Sequence, residues 1–202
     1  DRFAPQAMLV LGGGVLTSMP IEIMTFLPPV DVGVIGEAFV TFPELLERVD
    51  AGDADWSAVK GVAYRGRDSQ IQLTDIRPLI SREELDRLPY PAWELFPLDI
   101  YWKNSKLLYS EEAFTSKRRL DINASYGCSL ICRFCFHLGI SGDLGYTTGA
   151  EGKPDVEFTY KRDIRWHSAR YIVDMVRVAR DRFGIDFVLF LDENLMTMNS
   201  YS

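Results

Sequence analysis

The chain has 202 residues and three cysteines, and all three fall in one short run, Cys128-Ser129-Leu130-Ile131-Cys132-Arg133-Phe134-Cys135. Cysteines meant for disulfides spread along a chain, and an odd number leaves a thiol over. A C-x3-C-x2-C run on one loop can instead wrap three thiolates around one metal centre. Three thiolates are one short of the four that usually close an iron–sulfur cluster, so one iron keeps a position that a small chelating molecule can fill. Zinc is the rival, because His137 completes a Cys3His set. That reading is weakened by spacing: His137 lies just past Cys135, whereas zinc ligands usually come from two separated loops. His137 reads better as a packing residue or a partner of a ligand. Leu120-Asp121-Ile122-Asn123-Ala124 alternates apolar and polar like a strand, and Ser125-Tyr126-Gly127 makes a loop. The cysteines therefore follow the carboxyl end of a strand, where parallel α/β folds place their chemistry.

The beginning of the chain has the same grammar. Ala7–Leu11 is a short apolar run of the buried-strand kind, followed at once by Gly12-Gly13-Gly14. Ser18 is expected as an N-cap with Pro20 in the first turn of a helix reaching about Phe26, stopped by Pro28-Pro29. Val32–Ile35 predicts a second buried strand, and Gly36-Glu37 turns the chain out of it. Thr41-Phe42-Pro43-Glu44 predicts a capping box for a helix that ends near Gly52. Strand, glycine loop, helix, strand, loop, helix is the pattern of an open doubly wound α/β sheet, whose ligands bind outside the carboxyl ends of the strands. No G-x-G-x-x-G with a following acid is present, so no nicotinamide site is read.

Gly61–Arg65 and Gln70–Thr74 flank a polar turn and predict a β-hairpin. Pro78 to Pro97, with Pro89, Pro91, Trp93 and Phe96, is expected to lie as an extended packed connector. Trp93, Tyr101 and Trp102 are expected to pack between domains. Residues 139–166 read as a long loop near the site, with Arg162, Arg165 and His167 expected on solvated surface. Ser168 predicts a helix cap, Ile172, Val173, Val176, Ala179 and Phe183 a buried face, and Gly184 a stop. Asp186–Leu191 predicts a fully buried strand ending at Asp192-Glu193-Asn194. The net charge of −7 and the absence of a basic patch argue against a nucleic-acid partner. No apolar run approaches the ~20 residues that span a bilayer. Nothing reads as a signal peptide, so a reducing cytoplasm is expected. Asp1 and Ser202 both read as cut ends of a longer protein.

The cysteine spacing, with the aromatic Phe134 before Cys135, resembles the signature of the radical S-adenosylmethionine (SAM) enzymes. Gly12-Gly13, then Gly36-Glu37-Ala38-Phe39, Thr41-Phe42 and Glu44-Leu45, resemble the end of the cobalamin-binding domain that precedes many radical SAM barrels. There the second strand ends in Gly-Glu-Gly-Glu, and Ala38-Phe39 replaces the second pair. The hairpin and the run Leu85-Asp86-Arg87-Leu88-Pro89-Tyr90-Pro91-Ala92-Trp93 look like that family's connector.

The resemblance implies the C-terminal part of a Rossmann-like cobalamin-binding domain over residues 1–60 and a hairpin and connector over 61–115. It implies the first β/α units of a TIM-type (β/α)6 barrel over 116–202. It implies that Cys128, Cys132 and Cys135 hold a 4Fe–4S cluster. Phe134 and Asp192 or Glu193 would meet SAM, and Gly12, Gly13, Gly14, Gly36 and Glu37 would meet cobalamin. The implied reaction is reductive cleavage of SAM to a 5′-deoxyadenosyl radical, used for cobalamin-dependent methylation of an unactivated carbon. A cyclisation or rearrangement of the anaerobic porphyrin-cyclase type is the alternative, and a non-catalytic Cys3His zinc module is the alternative of another class. The implied partners are a small-molecule substrate and an electron donor such as flavodoxin or ferredoxin.

Overall fold

In the computed structural model the strand–glycine–helix alternation at the start of the chain becomes a mixed four-stranded sheet. Residues 7–108, 116–128, 130, 142–149, 152, 154–160 and 164–193 are described. They divide into two compact units, Asp1–Ile80 with Cys128–Asp163, and Ser81–Gly127 with Ile164–Ser202.

In the first unit β1 (Val10–Leu11) pairs parallel with β2 (Val32–Val34), Val10 opposite Val32. β2 pairs antiparallel with β3 (Val62–Arg65), and β3 with β4 (Ile71–Leu73). The predicted hairpin thus extends the first sheet. Both faces of β2 are covered, which is why its sequence is a continuous apolar run. Val32 and Val34 pack with Leu45, Val59 and Val62, while Ile35 packs with Leu16, Met24 and Val30 on the other face. Fully burying a side chain such as Leu45 contributes about 1.5–3 kcal/mol.

The helices differ in detail from the expectation. Two short ones, α1 (Gly14–Ser18) and α2 (Pro20–Phe26), follow β1. Ser18 is not an N-cap: it ends α1, and its hydroxyl donates to Gly14 O at 2.8 Å. Helix α3 runs Ala38–Asp50 from Glu37, so Pro43 lies inside it and Thr41-x-x-Glu44 is not a capping box. Thr41 is wholly buried. Its Oγ1 donates to Lys60 O at 3.3 Å and accepts from Arg77 Nε at 2.9 Å, while Glu44 pairs with Arg77.

Part of the expected loop over residues 139–166 is a hairpin of this unit, β7 (Gly142–Thr148) against β8 (Pro154–Tyr160). Leu144 packs on the core beside Leu16 and Met24, and Tyr146 donates its hydroxyl to Thr74 O at 2.6 Å. Burial pushes the Tyr146 phenol up to about 12, with Asp75 adding to the effect.

In the second unit the connector is largely turned. Ser81 and Glu84 form a reciprocal capping box on α4 (Arg82–Leu85), a 3-10 turn spans Trp93–Leu95, and α5 covers Leu98–Leu108. β5 (Arg119–Ile122) pairs parallel with β10 (Phe187–Phe190), Leu120 opposite Val188, across helix α6 (Ala169–Phe183). Ser168 Oγ caps α6 by accepting from Tyr171 N at 3.2 Å, and Gly184 closes it. Leu120, Ile122, Met175, Ala179 and Trp93 form the core. Val173 is exposed rather than buried, because Met175 and Ala179 lead the inner stripe. Strand β10 is only half-buried: Phe190 keeps 39% of its surface exposed. Among the described residues it has β5 on one side alone. A short ladder, β6 (Ser125–Tyr126) with β9 (Arg165–Trp166), completes the unit.

Candidate functional site

The chain leaves β5 through Asn123 and Ala124, and this is where the second unit concentrates its polar groups. Asp192, at the carboxyl end of β10, places both carboxylate oxygens 3.1 Å from Ala124 N and accepts the Ser125 hydroxyl. Ala124 and Ser125 are buried, so the carboxylate satisfies donors that water does not reach. From the other side His167 N donates to Ala124 O at 2.9 Å. Both polar groups of one peptide residue are thereby fixed, four residues before Cys128.

His167 and Arg165 were expected on solvated surface, and the structure corrects this: both are buried. Strand β9 pairs Arg165 with Tyr126 and Trp166 with Ser125, which carries these side chains inward. The His167 ring stacks on Tyr171 with centroids 4.1 Å apart and planes 5° off parallel, and meets the Tyr126 ring edge-on at 6.0 Å. Its Nδ1 lies 3.3 Å from Asp86 Oδ1, which also accepts Ser168 N at 2.9 Å. Burial pushes the His167 imidazole below its ordinary value, against the opposing pull of Asp86 and Asp192. Burial pushes the Asp86 carboxyl up, but Ser168 and His167 outweigh it and hold the group below the usual aspartate range. No sequence signal singled out Asp86. His167 lies just past the stretch 139–166 read as loop.

Cys128 is half-buried, and its Sγ accepts from Leu130 N at 3.5 Å. Cys132, Phe134, Cys135 and His137, like Arg162, lie outside the described residues. Glu193 is half-buried next to Asp192. Trp93, Tyr101 and Trp102 line a cleft of about 500 Å³ in the second unit with Arg119 and Asp121. Trp93 is buried there, and Trp102 donates Nε1 to Arg119 O at 2.9 Å.

In the first unit the glycines stand at the carboxyl ends of the two parallel strands. Gly13 has φ +106° with nothing within 4 Å of where a Cβ would stand. Gly36 has φ +76°, and its N–H donates to the buried Thr17 hydroxyl at 3.0 Å. A bulky ligand can approach the bare backbone at Gly12–Gly14, and glycine alone tolerates these torsions without strain. Leu144 packs 3.6 Å from the Cβ position of Gly36. Glu37 N-caps α3, and its carboxylate accepts Ile80 N at 3.3 Å.

No family model matches the chain. It is 26% identical over 213 residues to the cytidylyl-2-hydroxyethylphosphonate methyltransferase of Streptomyces wedmorensis, covering 96% of this chain and 36% of that protein. It is 27% identical over 191 residues to the anaerobic magnesium-protoporphyrin IX monomethyl ester cyclase of Rubrivivax gelatinosus, covering 94% and 29%. The fold matches the radical S-adenosylmethionine methyltransferase TsrM of Kitasatospora setae, solved with tryptophan and a SAM analogue, at a TM-score of 0.60. There the identity is 15% and the coverage 98% of this chain and 32% of that one. It also matches the cobalamin-dependent SAM radical enzyme OxsB, solved with aqua-cobalamin and SAM, at a TM-score of 0.56, with 17% identity and coverage of 92% and 21%. The chain spans about a third of the length of the curated relatives it matches.

Proposed function

The chain matches a fragment of the cobalamin-dependent radical SAM family, and on that premise we propose that it contributes the metal loop and part of the cobalamin-facing wall of such an enzyme. Cys128, Cys132 and Cys135 hold a 4Fe–4S cluster whose fourth iron takes SAM. Gly12–Gly14, Gly36 and Glu37 face the edge of a corrin. When bound, these cofactors supply reductive SAM cleavage, a substrate radical and a methyl group for an unactivated carbon. The protein's part is to bind, orient and exclude water. Leu130 N–H donates to Cys128 Sγ, and Asp192 fixes the backbone from which the loop departs. Phe134, Asp192 and Glu193 stand for the SAM contacts. Asp192 already accepts bonds from Ala124 and Ser125, and a carboxylate has room for further donors.

The finer architecture we propose is the end of a Rossmann-like domain (1–60), a hairpin and connector (61–115), and the start of a (β/α)6 barrel (116–202). The β5–α6–β10 unit is the parallel crossover that opens such a barrel. A small-molecule substrate, a flavodoxin or ferredoxin as electron donor, and a cytoplasmic setting complete the reading.

The observation that carries it is the position of the cysteine run, directly beyond a strand end whose backbone is fixed from two sides. The cyclase relative supports ring closure as a second reading. The test is anaerobic turnover of the whole protein with methyl-labelled SAM. Label in the product supports methyl transfer, label recovered only in methionine supports cyclisation, and SAM left uncleaved contradicts both.

A further inference from the structure

We propose that Asp86 and His167 are positioning residues that set the root of the cysteine loop. The inference rests on the reading that this loop holds the cluster, but its geometry stands apart from that chemistry. One carboxylate oxygen, Asp86 Oδ1, serves both the His167 Nδ1 at 3.3 Å and the Ser168 N–H at 2.9 Å. It thus fixes the imidazole and the start of α6 together. The neutral ring then has Nδ1–H as donor to Asp86, with Tyr171 stacked on its face and Tyr126 at its edge. With the side chain held, the His167 backbone N–H meets Ala124 O at 2.9 Å. Asp192 takes the other polar group of Ala124. Ala124 is therefore held between β9 and β10, and the chain runs from it through Tyr126 and Gly127 to Cys128. The charged and titratable groups around the imidazole are Asp86, Asp192, Tyr126, Tyr171 and Arg165, which stacks over the Tyr126 ring at 6.0 Å.

Packing alone does not ask for this arrangement. The His167 side chain is 4% exposed while Asp86 is 34% exposed, so a surface carboxylate reaches in to hold a buried ring. Replacing the carboxylate with a methyl group leaves the buried His167 ring N–H and the more exposed Ser168 N–H without their acceptor. The ring is then free to rotate, and Ala124 loses one of its two supports.

The test is hydrogen–deuterium exchange on the metal-free, full-length protein, with iron retention under chelator challenge as a second readout. Asp86→Ala should raise exchange of the amides of residues 124–126 about five- to tenfold, the factor that loss of one net hydrogen bond produces. Exchange in α3 should not change, and iron should be lost faster from the loaded protein. Asp86→Asn keeps the Oδ1 acceptor and should stay within about twofold of the unmodified protein. Should Asp86→Ala not fold, His167→Phe carries the test. It keeps the ring on Tyr171, removes Nδ1, and should loosen the same amides. Unchanged exchange at residues 124–126 in Asp86→Ala or His167→Phe overturns the proposal. So does a rise spread evenly over the whole unit, or an Asp86→Asn protein as loose as Asp86→Ala. A loosened loop in a protein that binds no iron would uphold the positioning role and overturn the cluster reading, so the two failures are distinguishable.

Discussion

Replacing Asp192 with alanine tests the most heavily hydrogen-bonded carboxylate of the site. Its two oxygens satisfy Ala124 N–H and the Ser125 hydroxyl, on residues that are 5% and 1% exposed. A buried donor left without an acceptor costs about 1–3 kcal/mol, so two give about 2–6 kcal/mol. Asp192 itself is half-buried, and water entering the vacated space recovers part of that, which places the expectation at about 2–4 kcal/mol. Asp192→Asn keeps one carbonyl acceptor but points an amide N–H at a donor, and should lose about half as much. Ser125→Ala alone removes one bond and should cost about 1 kcal/mol. Because the two residues share that bond, Ser125→Ala should cost less in the Asp192→Ala background, with a coupling near 1 kcal/mol. Urea unfolding of the five proteins gives these differences directly. An Asp192→Ala protein within about 0.5 kcal/mol of the unmodified one, or strictly additive costs, would refute the assignment.

Gly36→Ala should lose about 1–2 kcal/mol in the same assay, because φ +76° is a left-handed torsion while the added methyl meets Leu144 only at ordinary contact distance. His167 gives a pH signature. Its folded pKa lies below the ordinary 6.5, so the unfolded chain binds the extra proton first and stability falls as pH drops below about 6.5 toward the folded value. His167→Phe should remove that component from a pH series of melting curves, and an unchanged slope would contradict it. Alanine at Cys128, Cys132 or Cys135 should each abolish retention of iron by anaerobically reconstituted protein, as measured by iron and sulfide content.

The parts of the fold written in local chemistry were legible. Ser168 and Gly184 bracket α6, and the apolar run Val32–Ile35 announces a strand covered on both faces. Where a local signal competed with a tertiary one, the sequence misled. Thr41-x-x-Glu44 has the spacing of a capping box, yet Thr41 is drawn inward by Lys60 and Arg77, and the helix starts earlier, at Ala38. Ser81-x-x-Glu84 has the same spacing and does cap a helix, hidden in a stretch dominated by prolines. The hairpin at residues 142–160 was masked by glycines and charges, although Val156 and Phe158 alternate as a strand requires.

Of the candidate site, the cysteines stood out because their spacing is itself the signal. Asp86 and His167 did not, because their meaning comes from a contact across 81 residues of chain that no local pattern encodes. Asp192 was expected to meet a cofactor through its position at a strand end. The bonds it makes to Ala124 and Ser125 depend on the β5–β10 register, which periodicity does not give.

The central claim is that three thiolates leave one iron of a cluster open. Metal and sulfide analysis of the whole protein, purified without oxygen, tests it most directly. The account predicts a brown protein with about four irons and four sulfides per chain, whose electron paramagnetic resonance spectrum in the reduced state changes when SAM is added. A colourless protein carrying one zinc, or a cluster whose spectrum does not respond to SAM, would contradict it.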